Sequence, residues 1–149
     1  MRGTCQNLLY FAYGEHMNEN EMRRDFPSAR MVGFTRLKGY SLCFAGRDGR
    51  GRAALRPDPG GSVPGRVWAL REEDAQVLDR YFDDPFFARR EIRMVRVDGI
   101  TIPVLVYVPA PGQQQGRPSL VTYSIMREAY ETIGEDVDSF NQTAVRCAP

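Results

Sequence analysis

The sequence predicts an α+β fold built on a mostly antiparallel, barrel-like sheet. Three observations carry this. Runs with strand character outnumber helical ones. They come in hairpin-like pairs, most clearly the β-branched runs on either side of Asp98-Gly99. Helical spacing is confined to short stretches after residues 18, 71, 119 and 135. At 149 residues the chain reads as a single domain over 1–149, long enough for a real core.

The elements follow in order. Residues 8–13 are short, apolar and aromatic, and read as a buried strand. Asn18 with Glu21 three residues later resembles a capping box, with Asn in the usual Ser/Thr position. A short helix over 19–25 follows, ended by Pro27. Residues 29–34 and 40–44 read as strands separated by a turn near Lys38-Gly39. Residues 47–52 are rich in Gly and Arg and read as an exposed, solvated turn. Residues 53–56 suit a brief strand, and 57–64 form a loop by composition. Residues 65–70 give another strand.

Glu72, Glu73 and Asp74 suit the first turn of a helix, where the dipole favours negative charge. Ala75, Leu78, Tyr81 and Phe82 continue it at helical spacing until Asp83-Asp84-Pro85 breaks it. Residues 89–97 and 100–108 are strands joined by Asp98-Gly99. Residues 109–117 form a polar loop. Ser119 caps a helix whose apolar face includes Leu120, Tyr123, Met126, Ala129, Tyr130 and Ile133, and Gly134 stops it. Residues 136–145 suit a last short helix.

Composition excludes several classes. The formal net charge is +1, so no global field favours nucleic acid or an anionic membrane. No apolar run approaches a membrane span, and the start lacks the pattern of a signal peptide. Cys5, Cys43 and Cys147 are an odd number with no metal spacing, which suits reduced thiols in a cytoplasmic protein. His16 is the only histidine, which excludes a multi-histidine metal site, and no carboxylate cluster has ligand spacing. No metal and no cofactor are implied.

The informative feature is the abrupt end of the first apolar run at Tyr13-Gly14. A short polar loop, Glu15-His16-Met17, then leads into the Asn18 helix start. A strand that delivers a Gly-bearing loop to a helix can turn backbone N–H groups toward an anionic or carbonyl oxygen. The carboxylates left for chemistry are Glu15 in this loop and Asp83-Asp84 after the middle helix.

Tyr10-Phe-Ala-Tyr-Gly, Met17, Pro27-Ser-Ala-Arg and Gly39-Tyr40-Ser-Leu resemble the N-terminal half of a γ-glutamylcyclotransferase-like (AIG2-like) protein. The resemblance continues through Val67-Trp68-Ala-Leu, Leu78-Asp79-Arg80-Tyr81, Val106-Tyr107 and Pro118-Ser119 with Tyr123. It implies a small mixed, largely antiparallel β-barrel with flanking helices. It also implies a reaction in which the substrate's α-amine attacks its own γ-carbonyl, releasing 5-oxoproline and an amine. The partner expected is a small γ-glutamyl-type molecule. The site would comprise Tyr13, Gly14, Glu15, His16 and Met17, with Phe82, Phe87, Tyr107 and Tyr123 as further substrate-binding residues. Proximity supplies much of the acceleration, and one partly buried carboxylate can move the protons.

The chain departs from the family pattern at two places. The loop usually reads Tyr-Gly-Ser-Asn, and here Glu15 and His16 replace the Ser and Asn. The family's catalytic glutamate aligns with Phe82, and a tyrosine of the next strand with Phe87. Three readings follow. Asp83, one residue on, takes the acid/base role. Or Glu15 is a relocated base with His16 beside it, which favours a neutral or cationic ligand. Or the chain is a binding relative without turnover.

Overall fold

The computed structural model describes residues 8–46, 50–83, 88–110 and 112–146. Cys5, Cys147 and the segments 47–49 and 84–87, with Asp84, Phe86 and Phe87, lie outside the described residues, as does the side chain of Asp83.

Strand β1 (Leu8–Ala12) runs through the middle of one mixed sheet. Its partners are β3 (Arg50–Leu70), antiparallel with Tyr10 opposite Trp68, and β5 (Ile100–Pro109), parallel with Tyr10 opposite Leu105. Outward from β5 comes β4 (Ala88–Val97). Outward from β3 come β2 (Arg30–Gly46) and the two-residue β6 (Gln114–Gln115). A second two-residue strand, β7 (Arg117–Pro118), pairs in parallel with the start of β3. The sheet curls until β2 meets β4: the Thr35 hydroxyl donates to the Arg96 carbonyl. These two strands share no ladder among the described residues, so the barrel is open along that seam.

Side chains alternate across the sheet, as the pleat requires. Phe11 of β1 and Tyr13, just past its end, point into the curl, where they meet Leu55, Val67, Val95, Val104 and Val106. Tyr10 and Ala12 point outward, into a core completed by helices. Helix α1 (Glu19–Asp25) contributes Met22 and α2 (Glu72–Asp83) Leu78. Helix α3 (Leu120–Ile133) contributes Met126, Ala129 and Tyr130, and α4 (Val137–Arg146) Phe140 and Ala144. None of these helices is long and apolar enough to cross a membrane.

Several expectations need correction. Residues 29–34 and 40–44 are not separate strands, and 57–64 is not a free loop. Both segments belong to the long β2–β3 ribbon. Lys38 pairs with Ser62 and Tyr40 with Pro57, so residues 58–61 bulge opposite Gly39 alone. Gly39 takes φ +91°, and the Asp58 carboxylate accepts from Ser41 and from Gly60 N. Prolines are tolerated because β1 pairs only with 66–70, leaving the other edge of β3 open beside Pro57 and Pro64. The capping box is also incomplete: Asn18 accepts from Asn20 N at 3.0 Å, while Glu21 pairs with Arg24. The Asn18 amide instead donates to Ile125 O and Glu128, tying the start of α1 to α3.

Candidate functional site

The loop after β1 forms a single 3-10 turn, Glu15–Met17, closed by Met17 N donating to Gly14 O and Asn18 N to Glu15 O. It is clamped from three sides. The Tyr13 hydroxyl donates to the Tyr107 carbonyl on β5. The buried Trp68 indole donates to His16 O at 2.9 Å. A Cβ at Gly14 would sit 3.2 Å from Ala53 Cβ, so a residue without one suits the close approach of loop and β3.

A cavity of about 60 Å³ opens against this turn. A cavity of that size has room for a small group. The first strand and its loop contribute Tyr10, Tyr13, Gly14, Glu15 and His16. Arg52 and Ala53 come from β3, Tyr81 and Phe82 from α2, Tyr107 from β5 and Thr122 from α3.

Charge in the cavity is held by specific contacts. Glu15 brings a carboxylate, one oxygen of which accepts from the Thr122 hydroxyl at 2.6 Å. The Arg52 guanidinium lies 5.0 Å from the Tyr81 ring centroid and 5.6 Å from that of Phe82. Phe82 stacks on Tyr107, with centroids 4.2 Å apart and planes 15° apart. The Tyr107 hydroxyl donates to Asp79 at 2.6 Å, and Arg90 holds the other oxygen of that carboxylate. Burial pushes the phenols of Tyr10, Tyr13 and Tyr107 well above their ordinary range. They are neutral donors at any physiological pH.

His16 is 5% exposed, and its ring bridges two elements. Nδ1 lies 3.1 Å from the Tyr10 hydroxyl and Nε2 lies 3.0 Å from Asp25 Oδ2, at the end of α1. Its partner is therefore Asp25 rather than the neighbouring Glu15.

The structure thus brings Tyr13, Gly14, Glu15, His16, Phe82 and Tyr107 together around one cavity. Met17 is fully buried in the helix-side core. Tyr123 stacks on Phe140 and donates to Asn141, lining a different groove. Phe87 and the Asp83 side chain lie outside the described residues. Sequence reasoning missed Tyr10, Arg52, Tyr81, Thr122 and Asp25. Arg52 was expected in a solvated turn; it instead lies in a strand and covers two rings. Tyr10 and Tyr81 carried a signal as apolar positions and as members of the family motifs, and Thr122 and Asp25 carried none.

A family model described as "Gamma-glutamyl cyclotransferase, AIG2-like" matches residues 10–130. The chain belongs to this family. It is 29% identical over 82 residues to a γ-glutamylcyclotransferase of Bos taurus, covering 50% of this chain and 44% of that protein. It is 30% identical over 81 residues to the Homo sapiens γ-glutamylcyclotransferase, covering 50% and 43%. The match thus spans less than half the length of these relatives. A solved structure titled "Gamma-glutamyl cyclotransferase" superposes with a TM-score of 0.82 at 22% identity, covering 93% of this chain and 86% of that one. That likeness establishes the fold.

Proposed function

We propose that the chain is a γ-glutamylcyclotransferase-type enzyme that cyclises a γ-glutamyl amide to 5-oxoproline and a free amine. The carrying observation is the Glu15 carboxylate, which lines the cavity beside Tyr13-Gly14 and is oriented by Thr122. It stands in for the glutamate whose aligned position is Phe82.

In this reading the α-amine, already tethered to its target, attacks the γ-carbonyl and forms the C–N bond of the lactam. Glu15 takes a proton from that nitrogen and passes it to the leaving nitrogen as the amide C–N bond breaks. A 3-10 turn has no internal acceptor for its first N–H groups, so those of Glu15 and His16 are available to the developing oxyanion. Arg52 offsets the negative charge that Glu15 adds, which allows an α-carboxylate to enter. The ligand is a small γ-glutamyl-type molecule, and the working compartment is the cytoplasm. A binder without turnover is the alternative, and Phe82 is the observation that favours it.

Release of 5-oxoproline from a panel of γ-glutamyl amines and γ-glutamyl amino acids tests the reading. Release by the wild type that Glu15→Gln abolishes is expected. No release from any member, while one of them raises the thermal midpoint, overturns catalysis and leaves the binder.

A further inference from the structure

We propose that Tyr10, His16 and Asp25 form a proton relay, with Tyr10 as its cavity end and Asp25 as its outer end. The inference rests on the cyclotransferase reading and adds a second proton-handling group to Glu15.

The geometry sets the polarity of the chain. An ionised carboxylate only accepts, so Nε2 of His16 carries the hydrogen that faces Asp25 Oδ2 at 3.0 Å. In the neutral ring Nδ1 is then the acceptor, and the Tyr10 hydroxyl donates to it at 3.1 Å. Hydroxyl, imidazole and carboxylate stand in the order that lets an imidazole take a hydroxyl proton while a carboxylate holds its tautomer. The surroundings are built to keep this order. Tyr10 is 3% exposed and His16 5%, and the His16 ring packs edge-on against Phe26, 5.7 Å between centroids. Both residues line the cavity that holds Glu15. Asp25 is 38% exposed at its side chain, and its other oxygen faces Arg24 Nε at 3.4 Å. The array thus runs from the cavity to the surface.

The chemistry needs a second carrier. Two protons leave the attacking nitrogen, one when the ammonium becomes an amine and one when the adduct becomes a lactam. A carboxylate holds one at a time. The relay takes the first: the ammonium proton passes to the Tyr10 oxygen as the Tyr10 proton passes to Nδ1. The resulting imidazolium is paired with Asp25. Glu15 carries the second proton to the leaving nitrogen. The first returns from His16 through Tyr10 to the released amine, so no net proton is gained or lost.

Because His16 is the only histidine in the chain, nitrogen NMR of protein labelled at histidine reads this array without ambiguity. The expected result for the wild type is the Nε2–H tautomer with a hydrogen-bonded Nδ1. Tyr10→Phe is expected to move the Nδ1 resonance toward that of an unbonded ring nitrogen. Asp25→Asn is expected to introduce the other tautomer. An Nδ1–H wild type, or an Nδ1 signal indifferent to Tyr10→Phe, overturns the relay whatever the activity. In turnover, both variants are expected to lower kcat at least 10-fold with KM within about 2-fold. Asp25→Glu is expected to restore most of kcat. Wild-type release of 5-oxoproline that both variants leave unchanged makes the array a structural bridge and overturns its catalytic task. A wild type inactive on every substrate defeats the cyclotransferase reading itself and the relay's task with it.

Discussion

Phe82 lies flat on Tyr107, with ring centroids 4.2 Å apart, at the position where the family resemblance places an acidic residue. The stack completes the cavity wall and gives the Arg52 guanidinium a second ring to cover. A carboxylate there would face Arg52 instead. Under the proposed reaction that carboxylate adds a second proton carrier at the cavity, and Phe82→Glu is expected to raise 5-oxoproline release at least 10-fold. Loss of the stack lowers stability by about 0.5–1.5 kcal/mol. Paired activity and urea-unfolding measurements check both halves.

Glu15→Gln keeps the shape of the side chain and a hydrogen-bond acceptor for Thr122, and under the proposed reaction it removes the proton carrier. A fall in kcat of about 100- to 10,000-fold is expected, with an unchanged thermal midpoint. Thr122→Val frees one carboxylate oxygen from its donor. It should cost less, within about 10-fold, because the base remains and only its orientation loosens.

Trp68 is fully buried, and its indole N–H satisfies the His16 carbonyl. Trp68→Phe leaves that oxygen without its donor and opens a void beneath the turn. Destabilisation of about 2–4 kcal/mol is expected from the unmet hydrogen bond and the cavity together. The shift of the urea midpoint measures it.

Burial holds the phenols of Tyr10, Tyr13 and Tyr130 above their ordinary value. The unfolded chain ionises its tyrosines near pH 10, while the folded chain keeps these three protonated. The unfolded state then binds fewer protons, so stability falls as pH rises above about 10. It is fully present below that value. Each phenol steepens the fall by about 1.4 kcal/mol per pH unit. Tyr130→Phe, which adds no cavity beyond one oxygen, should flatten the alkaline limb of stability against pH by about that slope.

Gly134 ends α3 with φ +78°. Gly134→Ala forces a Cβ into the left-handed region and should destabilise the protein by about 1 kcal/mol, read as a lower thermal midpoint.

What could be read from the chain beforehand was what local chemistry decides. Asp98 and Gly99 both take positive φ, at 50° and 81°, and make the hairpin turn their identities call for. The bounds of α1 follow from Asn18 and Pro27 for the same reason. The long β2–β3 ribbon was hidden because Gly39 and residues 58–61 look like breakers. Only pairing across the ribbon turns that segment into a bulge. The site shows the same division. Tyr13-Gly14 was legible as a break in a strand. The Arg52 contact with Tyr81 and Phe82 depends on a packing that no local pattern encodes. So does the His16 contact with Asp25, which needs the turn and α1 to fold back on each other.

The central place of β1 has a consequence for the order of assembly. The strand is made before its partners, residues 66–70 and Leu105. The β4–β5 hairpin and the β2–β3 ribbon can close over short stretches of chain. Strand β1 must wait for both before it has a seat. The turn that follows it takes shape at the same moment, since Trp68 and Tyr107 arrive with those partners. During synthesis and refolding alike, the ability to bind a ligand should emerge late and in a single step, together with the last core packing rather than ahead of it.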